Sequence, residues 1–439
     1  MMKESDQNEK AELNISLAKA NFWFFILWLI MLFNYAVRMA INSVLPLLKQ
    51  EFFFTDAQLG LISSIVAASI SLLAPLAGML ADEWSRRKLI SIMVAIATFA
   101  TFATVLVTGY VTLILTRLGL GAGEAGYNPA GTALISTWYP KKVRGSMMGL
   151  FFSAVPLGTA LGLVLTGFLA QQYGWRMSFV LLSIPGIVLA ILVWFMPDYK
   201  TVKVNQAEGT TEKKGGALRE ALLFMLKSPS MILVYFMFAA NAFSLMSLTT
   251  WGVTLFVRGF DLNIKTASMI VGIISLVGFI GSPFCGWLAD QLVKRSDKGR
   301  IWGGAMFISI YFIAMTIFLQ MSIPEKNLKL AVVLFTVSSF FVVGVIPCLY
   351  TVIQDLAAPS FRTTAAGFIV LIGSIFGAFP GPVVVGALSD KMGLCFAMQV
   401  VMTISVTCFL GLAFIVSIFF YRQDIERTRA LGTFTMQQD

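Results

Sequence analysis

The chain has 439 residues, of which 58% are hydrophobic and only 12% charged. A soluble protein of this size carries about a quarter charged residues, so the composition excludes a soluble domain and describes an integral membrane protein. The formal charge of +10 does not describe a nucleic-acid binder, because the basic residues sit in short loops between apolar runs.

Apolar runs of roughly 20 residues recur along the whole chain and predict helices rather than a β-barrel. A polar N-terminus ahead of a full-length apolar run predicts no cleavable signal peptide. Twelve spans are expected, over 22–47, 57–81, 88–109, 110–138, 145–171, 176–197, 229–256, 266–290, 301–322, 328–356, 363–388 and 394–420. The fold class is therefore an all-α membrane protein. Its expected parts are a tail over 1–21, a six-helix domain over 22–197, a linker over 198–228, a second six-helix domain over 229–420 and a tail over 421–439. Of the 32 Lys and Arg residues, 23 fall in the tails and in the loops after even-numbered spans, and 7 in the loops after odd-numbered ones. This asymmetry places both termini and the linker in the cytoplasm.

Charge inside the spans is scarce, and where it occurs it is informative. Arg38 lies in span 1, and Arg117 and Glu124 lie in span 4. Charged side chains at membrane depth are costly and mark partners, substrates or water. Seven residues separate Arg117 from Glu124, so on a helix they fall within roughly 20° of one face and about 10 Å apart. They read as an ion pair, either coupling a proton or only holding the helix. Gly119, Gly121, Gly123 and Gly126 beside them allow a neighbouring helix to approach closely. There is no histidine, so proton chemistry falls to carboxylates. Cys285, Cys348, Cys395 and Cys408 all lie in apolar runs and show neither a disulfide framework nor metal-ligand spacing. No metal or cofactor is expected, and no nucleophile arrangement suggests an enzyme.

The two halves repeat. Gly78-Met-Leu-Ala-Asp82 ends span 2 and Gly286-Trp-Leu-Ala-Asp290 ends span 8. Arg144 precedes Gly149 as Arg362 precedes Gly367, and Gly167 and Gly174 recur as Gly386 and Gly393. The offsets are 208 to 219 residues. A duplicated six-helix unit with the site between the units is a transporter design.

The run from Gly78 through Asp82 to Arg86, Arg87 and Lys88 resembles the loop signature of the major facilitator superfamily. Arg117-Leu-Gly-Leu-Gly121-Ala-Gly123-Glu124-Ala125 resembles its fourth-helix signature. Within it, Gly123-Glu-Ala-Gly-Tyr-Asn-Pro129 and Trp138-Tyr-Pro-Lys-Lys-Val-Arg144 look like the anion:cation symporters, which take up organic acids with protons. Ser153-Ala-Val-Pro-Leu-Gly158-Thr-Ala-Leu-Gly162 looks equally like the Spinster-type lipid and organic-anion transporters. The resemblance departs at Val37, where both groups usually have an Asp before the span 1 arginine. Span 5 also lacks the Gly-Pro pair of the drug-antiporter signature, which lowers an efflux reading.

The resemblance implies two pseudo-symmetric domains that rock about a cavity lined by helices 1, 4, 7 and 10. Two cations and one anion in the N-terminal half favour an anionic cargo, and an arginine fork suits a carboxylate. Arg38 is the expected anion ligand, and Glu124 with Arg117 the proton-coupling pair. Asn34, Tyr35, Tyr127, Asn241 and Tyr350 are candidate substrate contacts or plain interhelical hydrogen bonders. Asp82, Arg86, Arg87 and Asp290 at helix ends, with Arg144 and Arg362 as partners, are expected to gate the cytoplasmic side. The function that follows is proton-coupled symport of a small organic anion, such as a sugar acid, by a monomer in a bacterial inner membrane. Export of an amphipathic anion such as a lysolipid, drug efflux and passive uniport are the alternatives.

Overall fold

The computed structural model describes residues 16–83, 85–197, 228–357 and 362–426. The linker over 198–228, except Ser228, and most of both expected tails lie outside the described residues.

In lipid no water satisfies exposed backbone groups, so each span closes its own hydrogen bonds as a helix. We number the crossings α1 (Leu17–Phe52), α2 (Asp56–Glu83), α3 (Arg86–Ala103, continued by the turn Thr104–Leu106), α4 (Tyr110–Glu124, then Tyr127–Trp138), α5 (Lys141–Phe152, then Ala154–Tyr173) and α6 (Trp175–Trp194). The second half has α7 (Pro229–Phe260), α8 (Ile264–Ser275, then Val277–Val293), α9 (Gly299–Ile317), α10 (Leu328–Leu356), α11 (Arg362–Gly373, then Pro380–Met392) and α12 (Leu394–Ile415). Among the described residues, 11 helices are individually long and apolar enough to cross a membrane.

The remaining crossing is α4, expected as one continuous helix. It breaks after Glu124 because Pro129, one turn on, has no N–H to return to the Ala125 carbonyl. The Gly126 N–H turns instead to the Met93 sulfur at 3.1 Å. Pro156 has the same relation to the break in α5 at Ser153. The break in α4 places Glu124 at a helix end, beside α1.

The repeated glycines have a geometric role. Gly174 and Gly393, at φ +82° and +81°, make the same turn into α6 and α12, in a backbone region closed to most side chains. Gly167 of α5 and Gly386 of α11 sit where a Cβ would strike Ser268 and the Asp56 carbonyl. They bring α5 against the start of α8, and α11 against the start of α2. These two seams join the halves at the end of the bundle away from the termini, called here the far end.

Packing differs sharply between the two ends. One apolar core runs through the second half and takes in far-end residues of the first, such as Val44, Leu59, Leu113, Leu163 and Phe179. A separate core of the first half, from Ala20 to Met196, involves no residue of the second half. The halves thus share a core only at the far end. Towards the terminal end the first segment of α5 diverges from the second segment of α8, and the start of α11 diverges from α2.

Candidate functional site

The divergence leaves a cavity of about 640 Å³ between the halves, walled by α1, α5, α7, α8 and α10. Met39, Phe152, Phe279, Phe335 and Val343 make its walls mostly apolar, and hydroxyls of Ser153, Thr249, Ser275 and Ser339 with the Tyr35 phenol punctuate them. No charged residue lines it. Phe152 of α5 and Phe279 of α8, both on its wall, are exposed. Here α4 makes no wall, contrary to expectation, and α5 and α8 take its place.

Next to this wall stands the charged pair. Arg38 donates from Nε to Glu124 Oε2 at 2.9 Å, and Nη2 donates to the same oxygen. Its guanidinium lies 4.6 Å from the centroid of the Tyr35 ring, which is part of the cavity wall. The Arg38 side chain is 18% exposed and that of Glu124 only 2%. The second Glu124 oxygen, Oε1, is buried and has no hydrogen-bond partner among the described residues.

The expected Arg117–Glu124 hydrogen bond does not form. Arg117 is fully buried, donates from Nη2 to Thr104 Oγ1 at 2.6 Å and lies over the Phe179 ring at 5.3 Å. Its Nε and Nη1 have no partner. Seven residues of helix put the two charges on one face but about 10 Å apart, beyond hydrogen-bond reach. Arg38 arrives from another helix at the right height.

The other expected substrate contacts divide clearly. Tyr35 lines the cavity. Tyr127 does not: it is 1% exposed, its hydroxyl donates to the Leu27 carbonyl, and its ring packs on Phe151. Asn34 and Asn241 are also buried away from the wall, with amide atoms lacking partners. Tyr350 packs edge-on to Phe238 at 5.5 Å and is not a wall residue.

Of the expected gate residues, Arg87 and Asp290 bond within their own halves. Arg87 donates to the Met196 carbonyl at 3.3 Å. Arg86 is buried at the start of α3. Asp290 accepts from Arg300 Nη2 at 2.9 Å, not from Arg144, and Arg300 also donates to Asp355 at 2.5 Å. Arg144 Nε is buried without a partner. The side chains of Asp82 and Arg362 lie outside the described residues. Among the described residues, the halves share no apolar core at the terminal end. Charge does cross between the halves at the far end: Arg258 donates to Asp56 from both Nη1 and Nη2 at 2.8 Å. These residues were not singled out from the sequence, because 202 positions separate them and neither belongs to a repeated motif.

A membrane-embedded helical bundle with a cavity between two repeated halves and a buried charge pair beside it is a carrier. The chain belongs to the Major Facilitator Superfamily, whose family model it matches over residues 27–382. It is 24% identical to a hexuronate transporter of Bacillus subtilis, covering 82% of this chain and 86% of that one. It is 27% identical to the probable sulfoacetate transporter SauU of Cupriavidus necator, over 82% and 85%. It is 25% identical to protein spinster homolog 1 of Xenopus tropicalis, over 84% and 72%. In fold it is similar to a bacterial homolog of the human lysosomal transporter Spinster in an inward-facing, unoccupied conformation. The TM-score is 0.77 at 21% identity, covering 94% of this chain and 98% of that one. The protein is a multi-pass membrane transporter and not an enzyme.

Proposed function

We propose that the protein is a proton-coupled symporter of a small organic anion, a carboxylate or sugar acid, working by alternating access. The observation that carries this is the Arg38–Glu124 pair beside the cavity wall. Among the described residues, Arg38 is the intramembrane cation that is both partly exposed and next to the cavity, and its fork is held by a carboxylate. A cargo anion competes for the same fork. Protonation of Glu124 weakens its hold and frees Arg38, so proton and anion bind together more favourably than either alone. When both leave, the pair re-forms and the site is neutral again. The relatives carrying hexuronate and sulfoacetate, both anions, support the class of cargo. Val37 stands where related carriers have a second acid, so Glu124 is the coupling carboxylate here. In this reading the protein is a monomer in a bacterial inner membrane with cytoplasmic termini, and the open terminal end faces inward.

The mostly apolar cavity wall, with exposed Phe152 and Phe279 on α5 and α8, favours a second reading: an amphipathic anion with its tail in the cavity. Thermal stabilisation by ligands separates the two. The purified protein is screened against organic anions, neutral sugars and lysolipids at about pH 5.5 and about pH 7.5. Symport of a small anion predicts stronger stabilisation of wild type at the lower pH, equal stabilisation of Glu124→Gln at both, and none of Arg38→Ala. Stabilisation by lysolipids alone, indifferent to Arg38, would discard the small-anion reading. In vesicles, Glu124→Gln loses proton-driven accumulation but keeps exchange, whereas a uniporter loses little.

A further inference from the structure

The two far-end seams are closed by different chemistry. At the α2/α11 seam the halves exchange carboxylates. Asp56, 3% exposed as a side chain, accepts from Arg258 of α7 twice at 2.8 Å, from Ser389 of α11 at 2.6 Å and from Lys49 of its own half at 2.6 Å. In return Asp390 of α11 accepts the backbone N–H groups of Asp56 at 2.7 Å and Ala57 at 3.0 Å, which are free donors at the start of α2.

At the α5/α8 seam the repeat supplies no equivalent charge. The 219-residue offset that pairs Gly167 with Gly386 pairs Gln171 with Asp390, and the 208-residue offset pairs Ile264 with Asp56. Gln171 Oε1 accepts the Lys265 N–H at 3.3 Å, a longer and neutral version of the same cap. The Lys265 ammonium lies over the Phe168 ring at 4.9 Å. No ion pair joins α5 to α8 among the described residues.

We propose that the closed far end is latched by charge along one seam only, with Asp56 and Asp390 as the latch, while the α5/α8 seam closes by apolar packing and follows. A carboxylate held by three side chains is a stiff tie. Withdrawing buried Asp56 breaks the paired contact with Arg258, whose side chain is 31% exposed, and the carboxylate must find water to replace three donors. This inference concerns the transport cycle and is independent of the identity of the cargo.

The latch has a built-in reporter. A recess of about 370 Å³ beside it is walled by Lys49, Asp56, Arg258, Ser389 and Cys395. Parting the seam withdraws Lys49 and Asp56 from Cys395. The test is the rate at which N-ethylmaleimide alkylates Cys395 in the purified full-length protein, resolved by peptide mass. Buried Cys285 is the check that the protein stays folded. Asp56→Asn and Asp390→Asn are each expected to accelerate the reaction on the order of tenfold, the factor that losing one good charged interaction implies. Gln171→Ala is expected to react at the wild-type rate. Unchanged rates in both aspartate variants, or equal acceleration by Gln171→Ala, overturn the proposal. If Asp56→Asn does not fold, Ser389→Ala removes a single donor: a smaller acceleration supports the latch and none overturns it.

Discussion

Glu124 is tied through one oxygen to Arg38 and has nothing on the other. Its burial makes the pair sensitive to which member is removed. Taking away only the cation leaves a carboxylate without a partner in an apolar site, at about 3–5 kcal/mol. Arg38→Ala is therefore expected to lower the melting temperature more than Arg38→Ala/Glu124→Gln does, in a thermal scan without ligand. Equal losses would mean that the two side chains do not depend on each other. The sequence shows that Arg38 and Glu124 are the kind of residues that carry function. It does not show that they meet, because they stand 86 positions apart and Arg117 lies only seven from Glu124.

At the scale of the helices, the close approach of α1 and α5 sets the position of Arg38. Gly158 and Gly162 of α5 lie against the Leu32 and Ala36 carbonyls of α1, where an added Cβ would collide with backbone. Trp28 of α1 donates to Ser153 Oγ at the break in α5, at 3.2 Å. Gly162→Val is expected to wedge the two helices apart and destabilise by about 1–3 kcal/mol, seen as a lower melting temperature and loss of monodisperse protein. Gly149→Ala, with nothing near its would-be Cβ, is expected to be neutral or stabilising by up to about 1 kcal/mol. Similar losses at both sites would show that backbone contact at Gly162 is not the cause. Spans and repeats were legible from apolar run length and repeated Gly motifs, whereas the breaks in α4 and α5 were not expected, although Pro129 and Pro156 mark them. The identity of the cavity-lining helices was not, since α4 and α5 are equally apolar.

For the molecule as a whole, halves that share a core at the far end but, among the described residues, none at the terminal end imply unequal access for water. Ser282→Cys, on the cavity wall, is expected to react readily with a hydrophilic thiol reagent and to be protected by an anion that stabilises the protein. Native Cys285, three residues on in the same helix and fully buried, is expected to stay unreactive. A Ser282→Cys variant that resists the reagent would contradict an open terminal end. By itself the sequence determined that the chain crosses the membrane as helices, that its halves are duplicates, and that three charges stand at depth. Those features follow from hydropathy, spacing and repeated motifs, which are local. Only the tertiary structure decided that Glu124 takes Arg38 rather than Arg117, that α5 and α8 rather than α4 wall the cavity, and that Asp56 meets Arg258. Each of these depends on how far one helix is shifted along another, which close-packed glycines set at contacts between residues remote in the chain.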